Sequence, residues 1–247
     1  MTVQGERLTV QGKNVIVTGG TTGIGRAIVC SLADKGARVL TLGRNEAALA
    51  EALESFADAR GEVHGISADL GTREGVARLF QEADERLGHI DAFVSNAALG
   101  ADPIDEMEDD AWRYVVDVNL VGALACTRAA LERLDDGGQI VIIGSISAAI
   151  HAPGESVYSA TKAGLAAFAE TLRKEVKDRG IRVGLVEPGT VGSDMQEPSA
   201  DEQREMIARH EMLYAEDIAE AVDFILTRPP RVDVVTLRVE PRMQELP

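Results

Sequence analysis

Asn14-Val15-Ile16-Val17-Thr18-Gly19-Gly20-Thr21-Thr22-Gly23-Ile24-Gly25 is the stretch on which the fold turns. Its first five residues are apolar and β-branched for the most part, as in a short buried strand. Glycines follow, and then a helical pattern begins, so the order is strand, tight turn, helix. Glycine lets the backbone turn sharply and approach a phosphate closely, while the first amides and the dipole of a helix starting near Gly23 favour a pyrophosphate. The spacing Gly-x-x-x-Gly-x-Gly differs from the commoner Gly-x-Gly-x-x-Gly. Taken alone it also suits a plain glycine-rich connection; its place after the first strand argues for a dinucleotide site.

Outward from this stretch, short apolar runs at 13–18, 37–42, 62–67, 90–95, 138–144, 181–187 and 234–239 read as strands. Between them, helical patterns fall at 24–35, 45–58, 72–87, 109–133, 156–179 and 215–227. That alternation predicts an α/β fold: a single-domain, doubly wound Rossmann architecture with a seven-stranded parallel sheet and helices on both faces. Ligands of such sheets sit beyond the carboxyl ends of the strands, where strand order reverses. Gly19, Gly43, Asn96, Ser145 and Pro188 all fall at or just past those ends.

The chain has 247 residues, 45% of them hydrophobic, which suits one domain (1–247) with a substantial core. A net charge of −16 opposes binding to nucleic acid or anionic lipid. The start Met1-Thr2-Val3-Gln4-Gly5-Glu6 lacks a basic segment followed by an apolar core, and no apolar run is expected to approach the ~20 residues of a membrane span, so a cytoplasmic protein is expected. Cys30 and Cys126 both fall in apolar helical patterns and are expected to be buried, reduced thiols. His64, His89 and His210 show no metal spacing, and no metal site is expected. Asp102 to Asp110 carries six carboxylates but precedes a helix, where acids complement the dipole.

A second constellation bears on chemistry. Tyr158 and Lys162 stand four residues apart in a helical stretch and so share a face, and Ser145 lies at the end of a strand upstream. Lys162 beneath the Tyr158 ring is expected to lower the phenol pKa from about 10. A tuned phenol donates a proton to a carbonyl oxygen. Tyr-x-x-x-Lys alone is common in soluble helices, and its weight comes from the company it keeps.

Together these features resemble the short-chain dehydrogenase/reductase family through nearly the whole chain. The family pattern Thr-Gly-x-x-x-Gly-Ile-Gly is met by Thr18 to Gly25, its Asn-Ala-Gly turn by Asn96-Ala97-Ala98, and its mid-chain asparagine by Asn119. Its serine, tyrosine and lysine match Ser145, Tyr158 and Lys162, and its Pro-Gly turn after the sixth strand matches Pro188-Gly189. Ala98 stands where the family has glycine, and Ser95 where it often has asparagine.

The resemblance implies a catalytic set of Asn119, Ser145, Tyr158 and Lys162. Ser145 would hold the substrate oxygen, Tyr158 would transfer the proton, Lys162 would also bond the nicotinamide ribose, and Asn119 would support a water-linked proton path. Cofactor contacts would come from Gly19, Thr21, Thr22, Gly23, Ile24 and Gly25, with Asp69 on the adenine amine and Leu70 beside the base. Asn96 and Ala97 would lie by the ribose region, and Pro188, Gly189 and Val191 by the carboxamide. The second strand ends Leu42-Gly43-Arg44, without the acid that grips two ribose hydroxyls. Arg44 suits a 2′-phosphate, so NADP(H) is expected, the plainer alternative being a solvated charge at a helix start.

The expected activity is an NADP(H)-dependent oxidoreductase, a carbonyl reductase interconverting a ketone or aldehyde and an alcohol, with Tyr158 as general acid/base. The alternative is a catalytically silent NADP-sensing or scaffold protein on the same fold. The substrate of the expected enzyme would be a small molecule, under a lid at 193–214 in which Met195, Met206 and Met212 stand among charged residues. His151 is a candidate pocket residue or a solvated one. The broad apolarity of the helices at 109–133 and 156–179, with the family resemblance, predicts a homo-oligomer, a homotetramer being favoured.

Overall fold

The computed structural model describes residues 8–193 and 198–244. One sheet of seven parallel strands runs through it in the order β3-β2-β1-β4-β5-β6-β7. The strands are β1 Asn14–Thr18, β2 Arg38–Gly43, β3 Val63–Ser67, β4 Ile90–Ser95, β5 Leu134–Ile143, β6 Arg182–Pro188 and β7 Thr236–Val239. Strand order reverses between β1 and β4, which leaves a crevice at their carboxyl ends.

The period of two in a strand distributes its side chains between two cores. Ile16, Leu40, Phe93, Ile140 and Ile142 face one cluster, whereas Val15, Val17, Val39, Val141 and Ile143 face the other. The first core is closed by α3 (Arg73–Arg86), α5 (Ala123–Leu131) and α7 (Ser156–Glu175). The second is closed by α1 (Gly23–Asp34), α2 (Glu46–Ser55) and α9 (Ala215–Leu226). β1, β2, β4 and β6 are buried along nearly their whole length, which is why they read as continuous apolar runs rather than as alternating ones, whereas the edge strands β3 and β7 are only partly buried.

The helix expected at 109–133 is three joined pieces: α4 (Asp109–Val116), a π-helical segment Asp117–Gly122, and α5. In that segment Gly122 lies against the β3–α3 connection, where a Cβ would sit 2.4 Å from the Leu70 carbonyl. The composite Asp109–Leu131 is 23 residues long and apolar enough by length and composition for a bilayer span, which corrects the expectation that no apolar run approaches that length. Asp117 and Arg113 break the run in sequence, and the buried Val115, Val118, Cys126 and Ala130 mark a core helix.

Two short helices escaped the sequence reading, α6 (Ser147–Ile150) and α8 (Ala200–Ala208). A Ser199–Glu202 capping box starts α8, and it lies within the segment expected to form a lid. Met195 of that segment lies outside the described residues, as does the start Met1 to Glu6. β5 begins at Leu134, earlier than expected, through a register shift opposite Ile90 and Ala92. Cys126 is buried, but Cys30 is exposed. Ile28, Val29 and Leu32 supply the inward face of α1, so Cys30 points outward, with its Sγ 3.7 Å from Asp34.

Candidate functional site

The carboxyl ends of β1, β4, β5 and β6 frame a cleft of about 350 Å3. At its floor, Gly19 takes φ +71° and Gly23 φ +51°, a region that side chains resist. Gly25 serves a different end: a Cβ there would lie 1.9 Å from the Gly19 carbonyl oxygen, so only glycine lets α1 start this close to β1. Thr22 occupies the N-cap position of α1 without capping it, and no acid stands in the first turn. Asn45 and Thr72, by contrast, cap α2 and α3 with their side chains. The first amides of α1 are therefore left to an anion, as a pyrophosphate site requires.

Asn96 ties the two central strands together at this point. Its Nδ2 donates to the carbonyls of Thr18 (2.9 Å) and Gly19 (3.1 Å), while the Thr18 hydroxyl accepts from the amides of Asn96 (2.9 Å) and Ala97 (3.0 Å). Asn96 borders the cleft, but its amide nitrogen is engaged in holding the turn. Ala98 lines the same wall, so the methyl in place of glycine is accommodated there. Asn119, fully buried in the π-helical segment, brackets the next residue: it accepts from the Leu99 amide at 2.7 Å and donates to the Leu99 carbonyl at 2.8 Å. It thus shapes the cleft wall through Leu99 without lining the cleft itself.

At the other end, Ser145 follows β5 and Tyr158 and Lys162 project from α7. The Ser145 hydroxyl stands close enough to the Tyr158 phenol to act on its ionisation, and it accepts from the Ser147 amide at 3.1 Å. Lys162 Nζ lies 5.5 Å from the centre of the Tyr158 ring and donates to the Ile143 carbonyl at 2.9 Å. The expected lowering of the phenol pKa is overturned. Burial holds Tyr158 above the ordinary range; the Ser145 hydroxyl opposes this in part, and the nearby Glu155 charge adds to it. Lys162 is itself pushed down to about 8 by burial. Among the described residues its hydrogen bond goes to that backbone carbonyl and not to the phenol.

Thr21, Thr22, Ile24, Arg44, Asp69, Leu70, Ala97, Pro188, Gly189 and Val191 all border the same cleft, so sixteen of the expected cofactor residues converge, Tyr158 and Lys162 included. Leu42, Leu99, Val118, Ile143 and Ser193 line it as well, apolar or small positions that carry no motif. Sequence reasoning also missed Gln244, whose Oε1 accepts from the Thr190 amide at 3.0 Å and steadies the turn after β6. His151 is exposed, sits at φ 57° after α6 and is not among the residues that line the cleft.

A family pattern for short chain dehydrogenases matches residues 13–204, which include every residue of this constellation except Gln244. The chain belongs to the short-chain dehydrogenase/reductase family. It is 35% identical over 223 residues to the 3-oxoacyl-[acyl-carrier-protein] reductase of Haemophilus influenzae, covering 87% of this chain and 91% of that protein. It is 36% identical over 220 residues to carbonyl reductase family member 4 of Danio rerio, with the same two coverages of 87% and 91%. A solved short chain dehydrogenase of Burkholderia cenocepacia, in complex with NADP, superposes with a TM-score of 0.85 at 28% identity, covering 95% of this chain and 98% of its own. As a short-chain dehydrogenase/reductase the protein is an oxidoreductase that uses a nicotinamide cofactor, and the glycine cradle and uncapped helix start fit such a group.

Proposed function

We propose that the protein is an NADP(H)-dependent reductase that interconverts a ketone or aldehyde and the matching alcohol, with Tyr158 as general acid/base. The convergence of the Ser145 hydroxyl, the Tyr158 phenol and the buried Lys162 ammonium at one end of the cleft supports it, with the glycine cradle and Arg44 toward the other. The bound nicotinamide supplies or accepts the hydride at the carbonyl carbon. Ser145 donates a hydrogen bond to the carbonyl oxygen, and Tyr158 gives that oxygen its phenolic proton in reduction and takes it back in oxidation. Lys162 holds the ribose and places positive charge beneath the phenol. Asn119 keeps Leu99, and with it the cleft wall, in place. The segment 193–214, with α8, is proposed as the lid over a small carbonyl compound. The activity is tested with a panel of ketones and aldehydes, from which NADPH consumption matched by alcohol is expected for at least one. Tight NADPH binding with no consumption across the panel would favour the silent scaffold instead.

Arg44 is proposed to select NADP(H), because its guanidinium can pair with a 2′-phosphate and no acid stands there to grip ribose hydroxyls. Arg44→Asp is expected to cost NADPH binding about 1.5–3 kcal/mol and to reverse the preference. Dissociation constants for NADPH and NADH decide it, and equal affinities in the wild type would contradict the assignment.

The protein is further proposed to be a homo-oligomer, favouring a tetramer. Val121 is 54% exposed in the π-helical segment, and Leu124, Ala166 and Phe168 are only partly covered on the neighbouring faces of α5 and α7. Light scattering at micromolar concentration is expected to give a multiple of the 26.3 kDa chain mass. A monomer mass would show that these faces need no partner.

A further inference from the structure

Tyr114, on α4, belongs to none of the motifs, yet it stands between two residues assigned to opposite sides of the adenosine. Arg44 Nη1 donates to its hydroxyl at 2.6 Å, and the hydroxyl donates to the Asp69 carboxylate, 2.9 Å from each oxygen. These directions are forced, since a guanidinium only donates and a carboxylate only accepts. Asp69 is fixed in turn by the Gly71 amide at 2.9 Å, and the Arg44 carbonyl accepts from the Ser67 hydroxyl at 3.2 Å. The guanidinium carbon lies 5.4 Å from the centre of the Tyr114 ring. The ring fits because residue 71 is glycine: a Cβ there would stand 2.7 Å from its Cε2. Glu74 and Arg78 share the hollow with Arg44, Asp69 and Tyr114.

We propose that Tyr114 is a positioning residue for cofactor selection, which holds the Arg44 guanidinium over the adenosine end of the cleft and keeps Asp69 from pairing with it. Arg44 is exposed, and an untethered arginine loses much rotamer freedom when it grips a phosphate. The phenol bears part of that ordering in advance and uses one N–H, leaving the rest of the fork for the ligand. Without the hydroxyl, the Asp69 carboxylate is left unbridged in the same hollow as Arg44. An ion pair there would set a carboxylate against an incoming 2′-phosphate. The inference rests on the NADP(H) reading above and adds a residue whose larger effect falls on the phosphate-bearing cofactor, since Asp69 keeps its bond from the Gly71 amide.

Tyr114→Phe keeps the ring and removes the bridge. Its dissociation constant for NADPH, and for adenosine 2′,5′-bisphosphate as a fragment, is expected to rise about three- to tenfold, while those for NADH and 5′-AMP change less than about twofold. In an Arg44→Gln background, Tyr114→Phe should add nothing, because the group it positions is gone. Gly71→Ala, which drives a methyl into the ring, should give the same selective loss and serves if Tyr114→Phe folds poorly. Unchanged NADPH affinity, an equal loss for both cofactors, or a full further loss in the Arg44→Gln background would overturn the proposal. A wild type with no preference for NADPH would overturn the NADP(H) reading and this inference together, whereas a preferring wild type with an indifferent Tyr114→Phe would overturn this inference alone.

Discussion

Tyr158→Phe is expected to lower carbonyl reduction by about 10²–10⁴-fold, the effect of losing a general acid, while NADPH binding stays within about twofold of wild type. The substitution leaves the ring on α7 and removes only the hydroxyl that faces Ser145 in the cleft. The pH dependence follows from the raised phenol pKa. Reduction consumes the phenol, which is the dominant form through neutral and mildly alkaline pH, so its rate should hold across that range. Alcohol oxidation needs the phenolate and should climb with pH toward the phenol's raised value. Rate profiles in both directions check this; near-wild-type reduction by Tyr158→Phe on any panel substrate would remove Tyr158 from its role.

Lys162→Met is expected to abolish most turnover and weaken NADPH binding, and at the same time to stabilise the protein without cofactor. Lys162 is 2% exposed, and burial moves its pKa from 10.5 to about 8. For a base depressed in the fold, the penalty is complete below pH 8, where it is protonated in both states, and is relieved as pH rises toward 10.5. The shift corresponds to about 3 kcal/mol as an upper bound, less about 1 kcal/mol for the lost bond to Ile143. A gain on the order of 2 kcal/mol at pH 7 is therefore expected, shrinking toward zero near pH 10. Denaturant unfolding of both proteins at the two pH values measures it. A less stable variant at pH 7 would show that the Ile143 bond and packing outweigh the buried charge. A binding site that costs the fold stability is what a residue kept for function looks like.

The centre of the sheet was legible because its strands are buried on both faces. Val15 to Val17 and Ile140 to Ile143 cannot form anything amphipathic, and the glycine turn after β1 fixed where the first crossover begins. The catalytic constellation was legible because backbone constraints and chemistry fall on a few residues at fixed intervals, Gly25 and Tyr158 among them. What the sequence withheld has a common physical origin. The π-helical turn around Asn119 depends on packing of Gly122 against Leu70, a contact distant in sequence. Tyr114 meets Asp69 and Arg44 only through the tertiary fold, so no interval along the chain marks it. The direction of the Tyr158 shift was misjudged because a charge four residues away is visible in the sequence and the depth of burial is not. Burial decided it, for the phenol and for the ammonium alike.

The most direct measurement of the account is label transfer. With NADPH deuterated at the reactive face of nicotinamide C4 and a carbonyl substrate from the panel, the wild type should produce alcohol carrying one deuterium on the former carbonyl carbon for each NADPH oxidised, and a hydroxyl proton from solvent. A product whose carbinol hydrogen comes from water, or NADPH oxidation without labelled alcohol, would contradict hydride transfer in this cleft.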